Sequence, residues 1–183
     1  MSKSVVFVLG PDRPGIIAAV AGTLFQRGCN LEDVSQTTLQ SEFVGIFIAV
    51  LPPGLAAEEL LADLRGRLAG TGLVAHLRHV ETAAPPPAAA AEPFVITTVG
   101  PDRPGLVAGI AELLARSGAN ITNLKAVTRG GDGRQDFVTF YEVDLPASID
   151  LAAFRAALGE RARELGLDVN LQHREIFEQV HRV

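Results

Sequence analysis

The sequence predicts an α+β protein made of two copies of one βαββαβ unit, each an antiparallel four-stranded sheet with two helices on one face. The phrase Gly10-Pro11-Asp12-Arg13-Pro14-Gly15-Ile16 returns ninety residues later as Gly100-Pro101-Asp102-Arg103-Pro104-Gly105-Leu106. The register continues through Ala18/Ala108, Leu24/Leu114, Gly28/Gly118 and Asn30/Asn120. In all, 12 of the 27 positions from Val5 to Leu31 are identical to their counterparts, so the chain is a duplication. A period this long is a whole small domain rather than a solenoid unit. The same order of strand-like and helix-periodic segments follows each copy, and an alanine- and proline-rich segment lies between them.

Val5 to Leu9 is entirely apolar and reads as a buried strand, ended by Gly10-Pro11-Asp12-Arg13. Ile16, Ile17, Val20 and Leu24 recur at helical spacing. Pro14 fits a first helical turn, where a missing amide hydrogen costs nothing, and Gly28 stops the helix in a left-handed cap. Leu31 to Leu39 and Phe43 to Val50 read as two strands joined by a turn at Gln40 to Glu42. Leu55 to Leu68 places Leu60, Leu61, Leu64 and Leu68 on one helical face, and Leu73 to Val80 closes the unit as a strand.

Ala83 to Glu92, with three consecutive prolines and no apolar periodicity, is expected to be a linker between domains spanning 1–82 and 93–183. The second unit is predicted as strand Phe94 to Val99, helix Pro104 to Arg116, strands Ile121 to Thr128 and Asp136 to Leu145, helix Leu151 to Glu164, and strand Leu167 to Arg174. The segment Arg129 to Gln135 adds four residues and shifts the offset from 90 to 94, as in Phe43/Phe137 and Pro52/Pro146. Its glycines predict a mobile hairpin tip. In the tail from Glu175 to Val183, Ile176, Phe177 and Val180 have helical spacing and predict a final half-turn or turn.

With 183 residues and 48% hydrophobic content, the chain can bury two modest cores of about 80 to 90 residues each. Cores so small favour a large contact between halves or between chains, and a homodimer is expected. The formal net charge is -5, with acidic and basic residues intermixed, which disfavours direct binding to nucleic acid. The single cysteine, Cys29, cannot form an internal disulfide, the N-terminus lacks a signal-peptide layout, and no apolar run is long enough to cross a bilayer. A cytoplasmic protein without membrane contact is expected.

A chain that leaves a strand and enters a helix through Asp-Arg-Pro-Gly exposes the first unpaired helix amides, and glycine allows close approach to the backbone. A carboxylate fits such a place, held by about 0.3 to 1 kcal/mol at an exposed helix end. Other groups must help. Asn30 and Asn120, at the start of the next strand, can donate and accept, which suits an amino acid's carboxylate and ammonium together. Asp12 and Asp102 are candidates for the ammonium. Against this stand simpler readings: an Asp at such a junction is often only a helix N-cap, and Gly-Asn is a common helix exit. Arg13 and Arg103 read as solvated or paired with acidic surface. His76, His79, His173 and His181 lack catalytic spacing and read as surface or interdomain residues. Cys29, aligned with Ala119, reads as a small buried side chain, and no metal, phosphate-loop or dinucleotide pattern is present.

The repeated phrase, the Gly28-Cys29-Asn30-Leu31 exit and the βαββαβ order resemble the ACT domain, a ferredoxin-like regulatory module. The resemblance covers both halves, and a tandem pair of this kind is most similar to ACT-only regulators of the glycine cleavage system transcriptional repressor type. It implies a non-enzymatic sensor of glycine or a similar small amino acid, needing no cofactor, that acts on transcription through an activator protein rather than through DNA. The ligand-facing positions it implies are Gly10, Pro11, Asp12, Arg13, Gly15 and Asn30, with Gly100, Pro101, Asp102, Arg103, Gly105 and Asn120. Thr97 and Thr98 replace Phe7 and Val8, so the two sites need not be equivalent. The alternatives are a ligand-independent dimerisation module and an enzyme of the formyltetrahydrofolate deformylase type lacking its catalytic domain. In such enzymes a separate domain does the chemistry, and only about nine residues follow the second unit here.

Overall fold

The computed structural model describes residues 2–80, 90–131 and 134–181. The chain divides into two units, Met1–Ala84 and Pro85–Val183, each with its own core.

In the first unit the order is β1 (Ser2–Pro11), α1 (Ile16–Gln26), β2 (Asn30–Leu39), β3 (Glu42–Leu51), α2 (Ala57–Leu68) and β4 (Val74–His79). The sheet order is β2-β3-β1-β4, with every neighbouring pair antiparallel. The second unit repeats this with β5 (Ala91–Pro101), α3 (Leu106–Arg116), β6 (Asn120–Gly131), β7 (Arg134–Pro146), α4 (Leu151–Glu164) and β8 (Asp168–His173), in the order β6-β7-β5-β8. These are two ferredoxin-like α+β domains, with the βαββαβ order that the periodicities predict.

Alternation along the strands decides what is buried. Val6 and Val8 of β1 and Phe47, Ala49 and Leu51 of β3 turn to the helices and meet Val20 and Leu24 of α1 and Leu60 and Leu64 of α2. Each such side chain, fully buried, contributes about 1.5 to 3 kcal/mol. The register places Leu9 opposite Val44 and Val74, and Phe7 opposite Ile46, on the helix-free face. There Leu9, Val44, Ile46 and Val74 remain exposed.

The repeats differ inside. Where the first has Val8 and Gly45, the second has Thr98 and Thr139, both buried and joined hydroxyl to hydroxyl at 2.6 Å. The two polar changes satisfy each other. In the first repeat a Cβ on Gly45 would come within 2.7 Å of the Phe43 ring and 2.9 Å of the Phe47 ring, so glycine there makes room for two aromatic side chains.

Several boundaries move. Both first helices begin two residues later than expected, at Ile16 and Leu106, leaving Pro14 and Pro104 in the preceding turn. Ala91 and Glu92, expected in the linker, pair with Pro146 and Leu145 as part of β5, while residues 83–89 lie outside the described residues. The expected tip at Gly130 to Gln135 is mostly ladder, since pairing continues to Gly131 opposite Arg134. Residues 132–133 lie outside the described residues. The tail forms a longer helix than expected, α5 (Arg174–His181). Phe177 of α5 meets Phe140 edge-on with ring centroids 6.5 Å apart, on the face of the second sheet away from α3 and α4.

Candidate functional site

The repeated loop carries the same backbone design in both units. Gly15 and Gly105 are the helix N-caps, at φ 94° and 93°, in the left-handed region that side-chain-bearing residues avoid. No side chain caps either helix, and a Cβ at either glycine would meet nothing within 4 Å. The amides of the first helical turn therefore have no capping side chain and no carbonyl four residues back to receive them. The N-cap reading of Asp12 and Asp102 is corrected, because the cap position belongs to the glycine three residues on.

Gly10 and Gly100 have a different task. A Cβ on Gly10 would lie 2.7 Å from the Gly72 carbonyl oxygen, and one on Gly100 would lie 2.7 Å from that of Gly166. These glycines admit the connection that enters the last strand of each unit. Pro11 and Pro101 end β1 and β5 and are exposed. The Asp12 amide is already used, donating to the Ser41 carbonyl at 2.8 Å. That carbonyl sits in a two-residue hairpin in which Gln40 and Ser41 both have positive φ, at 48° and 69°. The Asp12 carboxylate accepts a long bond from Thr38 Oγ1 at 3.4 Å and otherwise faces solvent.

In the first unit the loop borders a cavity of about 450 Å³, lined among others by Asp12, Arg13, Gly15, Ile17, Gln36 and Phe43. This is the size range of small-molecule sites. Gln36 and Phe43 escaped the reading of the sequence, although the repeat offers a signal: Gln36 aligns with Ala126, so the polar wall belongs to the first unit alone. Arg103 differs from Arg13 in its surroundings, donating from Nη2 to the Glu164 carbonyl at 3.3 Å.

Asn30 and Asn120 are exposed at the first positions of β2 and β6, as expected, but the sheet register separates them from the loops. Asn30 pairs with Val50, which pairs with Lys3, whereas Gly10 pairs with Phe43. Lys3 and Gly10 are seven steps apart along β1, roughly 23 Å at about 3.3 Å per residue. Asn120 lies level with Pro93 and is equally far from Gly100. Within one repeat, the loop and the asparagine stand at opposite ends of the sheet.

The remaining candidates stand outside the cavity beside Gly15. Cys29 is half-buried rather than buried, and burial pushes its thiol up, an effect that the nearby Arg27 guanidinium partly offsets. His76 and His79 are exposed, and His173 stands edge-on to Phe94 with ring centroids 5.3 Å apart. The side chain of His181 lies outside the described residues. Among the described residues no cluster of three or more His, Cys, Asp or Glu could hold a metal ion, and no helix is long and apolar enough to cross a membrane.

Two ferredoxin-like units, each presenting an uncapped helix start behind a glycine-bordered loop, define a tandem regulatory-module class. The sequence profile of the ACT domain matches residues 4–77 and 92–172, and the chain belongs to the ACT-domain family. A UPF0237 protein of Methanopyrus kandleri is 38% identical over 90 residues, which are 49% of this chain and 96% of that protein, so it corresponds to about one repeat. A bifunctional uridylyltransferase/uridylyl-removing enzyme of Xanthomonas oryzae is 28% identical over 159 residues, covering 78% of this chain and only 18% of the enzyme. Among solved structures, a protein of unknown function from Galdieria sulphuraria superposes with a TM-score of 0.78 at 24% identity, covering 94% of this chain and 98% of that one. A candidate glycine cleavage system transcriptional repressor superposes with a TM-score of 0.63 at 18% identity, covering 93% and 96%. These two share the tandem fold.

Proposed function

We propose that the protein is a sensor of a small amino acid, glycine or one of similar size, that regulates transcription through a protein partner. The observation that carries this reading is the repeated open helix start, with the cavity beside Gly15 offering the α1 amides and Arg13 to a carboxylate and Asp12 to an ammonium. Because Asn30 stands at the far end of its own sheet, it reaches a ligand at a loop only when another unit, of this chain or of a second one, brings that loop to it. A ligand held this way favours the assembled state by its differential affinity, typically about 1 to 3 kcal/mol of coupling. Similarity in fold to a candidate glycine cleavage system repressor supports the transcriptional part of the proposal.

Glycine has five heavy atoms, so even about 1.5 kcal/mol per atom limits its dissociation constant to roughly 3 μM or weaker. A thermal-shift screen of the amino acids at millimolar concentration tests the reading. A ligand at about 100 times its dissociation constant adds about 2.7 kcal/mol of stability, and the gain should shrink in Asn30→Ala. If no amino acid shifts the melting temperature, a second reading takes over. The exposed Leu9, Val44, Ile46 and Val74 on the first sheet favour a ligand-independent interaction module.

A further inference from the structure

The internal repeat provides its own reference, and one place in the first unit departs from it in charge. On the other side of the Arg13 loop, between the start of α1 and the end of α2, lies a second cavity of about 160 Å³. Arg13, Ile16, Arg67, Thr71 and Leu73 are among the residues that line it. In the second unit the equivalent arginines are engaged, and the cavity of about 350 Å³ that Arg161 borders there is also lined by Glu112, Glu160 and Glu164. Arg161, the counterpart of Arg67, donates from Nε to the Gly109 carbonyl at 3.2 Å and from Nη1 to Glu164 Oε2 at 2.9 Å. Its Nη2 also stands 3.6 Å from Glu112 Oε2. Arg103, the counterpart of Arg13, donates to the Glu164 carbonyl. Leu165 packs so closely on Gly109 that a Cβ there would lie 2.8 Å from Leu165 Cδ1.

The first unit keeps both arginines and loses the carboxylates that neutralise their counterparts' surroundings. Glu112, Glu160 and Glu164 become Gly22, Gly66 and Gly70, and Leu165 becomes Thr71. Packing does not demand Gly22 or Gly66, since a Cβ at either would meet nothing within 4 Å, whereas Gly70, at φ 75°, is a glycine that the backbone itself favours. Gly22 and Gly66 even sit inside α1 and α2, where glycine is a poor helix former. The carboxylate on the nearby turn of α2, Asp63, is committed to Arg27. Among the described residues neither Arg13 nor Arg67 has an acidic partner within 4.0 Å.

We propose that this cleft of the first unit binds a small dianionic oxyanion of the phosphate type, with Arg13 and Arg67 as its cationic ligands. Two guanidinium groups are matched by a dianion with three or more acceptor oxygens, while a monocarboxylate leaves one of them uncompensated. The cavity is well below the roughly 300 to 1,000 Å³ of sites that enclose drug-sized ligands, so the recognised unit is the anionic group itself. That group is supplied by free phosphate or by a phosphate monoester whose remainder projects into solvent. Arg13 borders both cavities, whereas Arg67 lines this one and not the larger cavity beside Gln36, so replacing Arg67 tests this site apart from the amino-acid reading.

Titration calorimetry on the full chain at constant ionic strength tests the proposal, with inorganic phosphate, methyl phosphate, acetate and chloride as probes. Phosphate is expected to saturate one site per chain, at least tenfold more tightly than acetate. Methyl phosphate binding as well as inorganic phosphate identifies a monoester site, and its exclusion identifies a site for free phosphate. Arg67→Gln and Gly22→Glu, the latter restoring the counterpart of Glu112, should each weaken phosphate binding at least tenfold while the far-UV circular dichroism is unchanged. Arg161→Gln in the second unit should leave it unaltered. Phosphate binding no better than chloride, or equal in wild type and both first-unit variants, overturns the assignment.

Discussion

Two glycines in one short phrase serve unrelated ends. Gly15 and Gly105 hold a left-handed cap over empty space, whereas Gly100 stands against the Gly166 carbonyl, where any Cβ collides at 2.7 Å. Gly100→Ala should therefore cost about 1 to 3 kcal/mol by overpacking, and its thermal melting should fall by several degrees without a change of fold. A second residue, Tyr141, is fully buried with a hydroxyl that finds no hydrogen-bond partner. Burial pushes its phenol above the ordinary value near 10, and Thr139, already bonded to Thr98, offsets part of this. The folded chain thus favours the protonated phenol. That contribution is fully present below about pH 10 and is lost as pH climbs through the higher folded value. Tyr141→Phe should melt no lower than wild type at neutral pH and lose less stability from about pH 10 upward. An identical alkaline profile in a pH series of thermal melts would refute the assignment. Neither residue's role was legible in the sequence, because Gly100 meets the distant Gly166 only once the sheet is formed and Tyr141 is buried only once the helices pack on it.

Among the elements, equivalent helices of the two units are finished differently. Asp150 caps α4, accepting from the amides of Ala152 at 2.9 Å and Ala153 at 3.0 Å. At the same position of α2 stands Ala56, in an extended conformation with no side-chain cap. Asp150→Ala should cost about 0.5 to 2 kcal/mol, and Ala56→Ser should add a similar amount, both read from thermal denaturation. Helix periodicity and strand alternation identified every element before α5, because those signals are local. They undercalled α5, whose eight residues gain support from long-range contacts such as Phe177 on Phe140. They also undercalled the β6–β7 ladder, since cross-strand pairing carries glycines that look like a loop when read alone.

For the whole chain, the sequence by itself determined the duplication, the βαββαβ order, the inward faces and the repeated loop. Each of these is written in spacing along the chain. The sequence also held the charge asymmetry between the repeats, in Gly22, Gly66 and Gly70 against Glu112, Glu160 and Glu164. Tertiary structure decided what those residues meet. It brought Arg67 to the same cleft as Arg13, set Gln36 beside the first loop, and carried Asn30 to the opposite end of its sheet. The physical reason is that strand register and helix packing join residues by their position across a sheet. Two residues on successive elements of a repeat can therefore share a motif and still lie too far apart to hold one ligand.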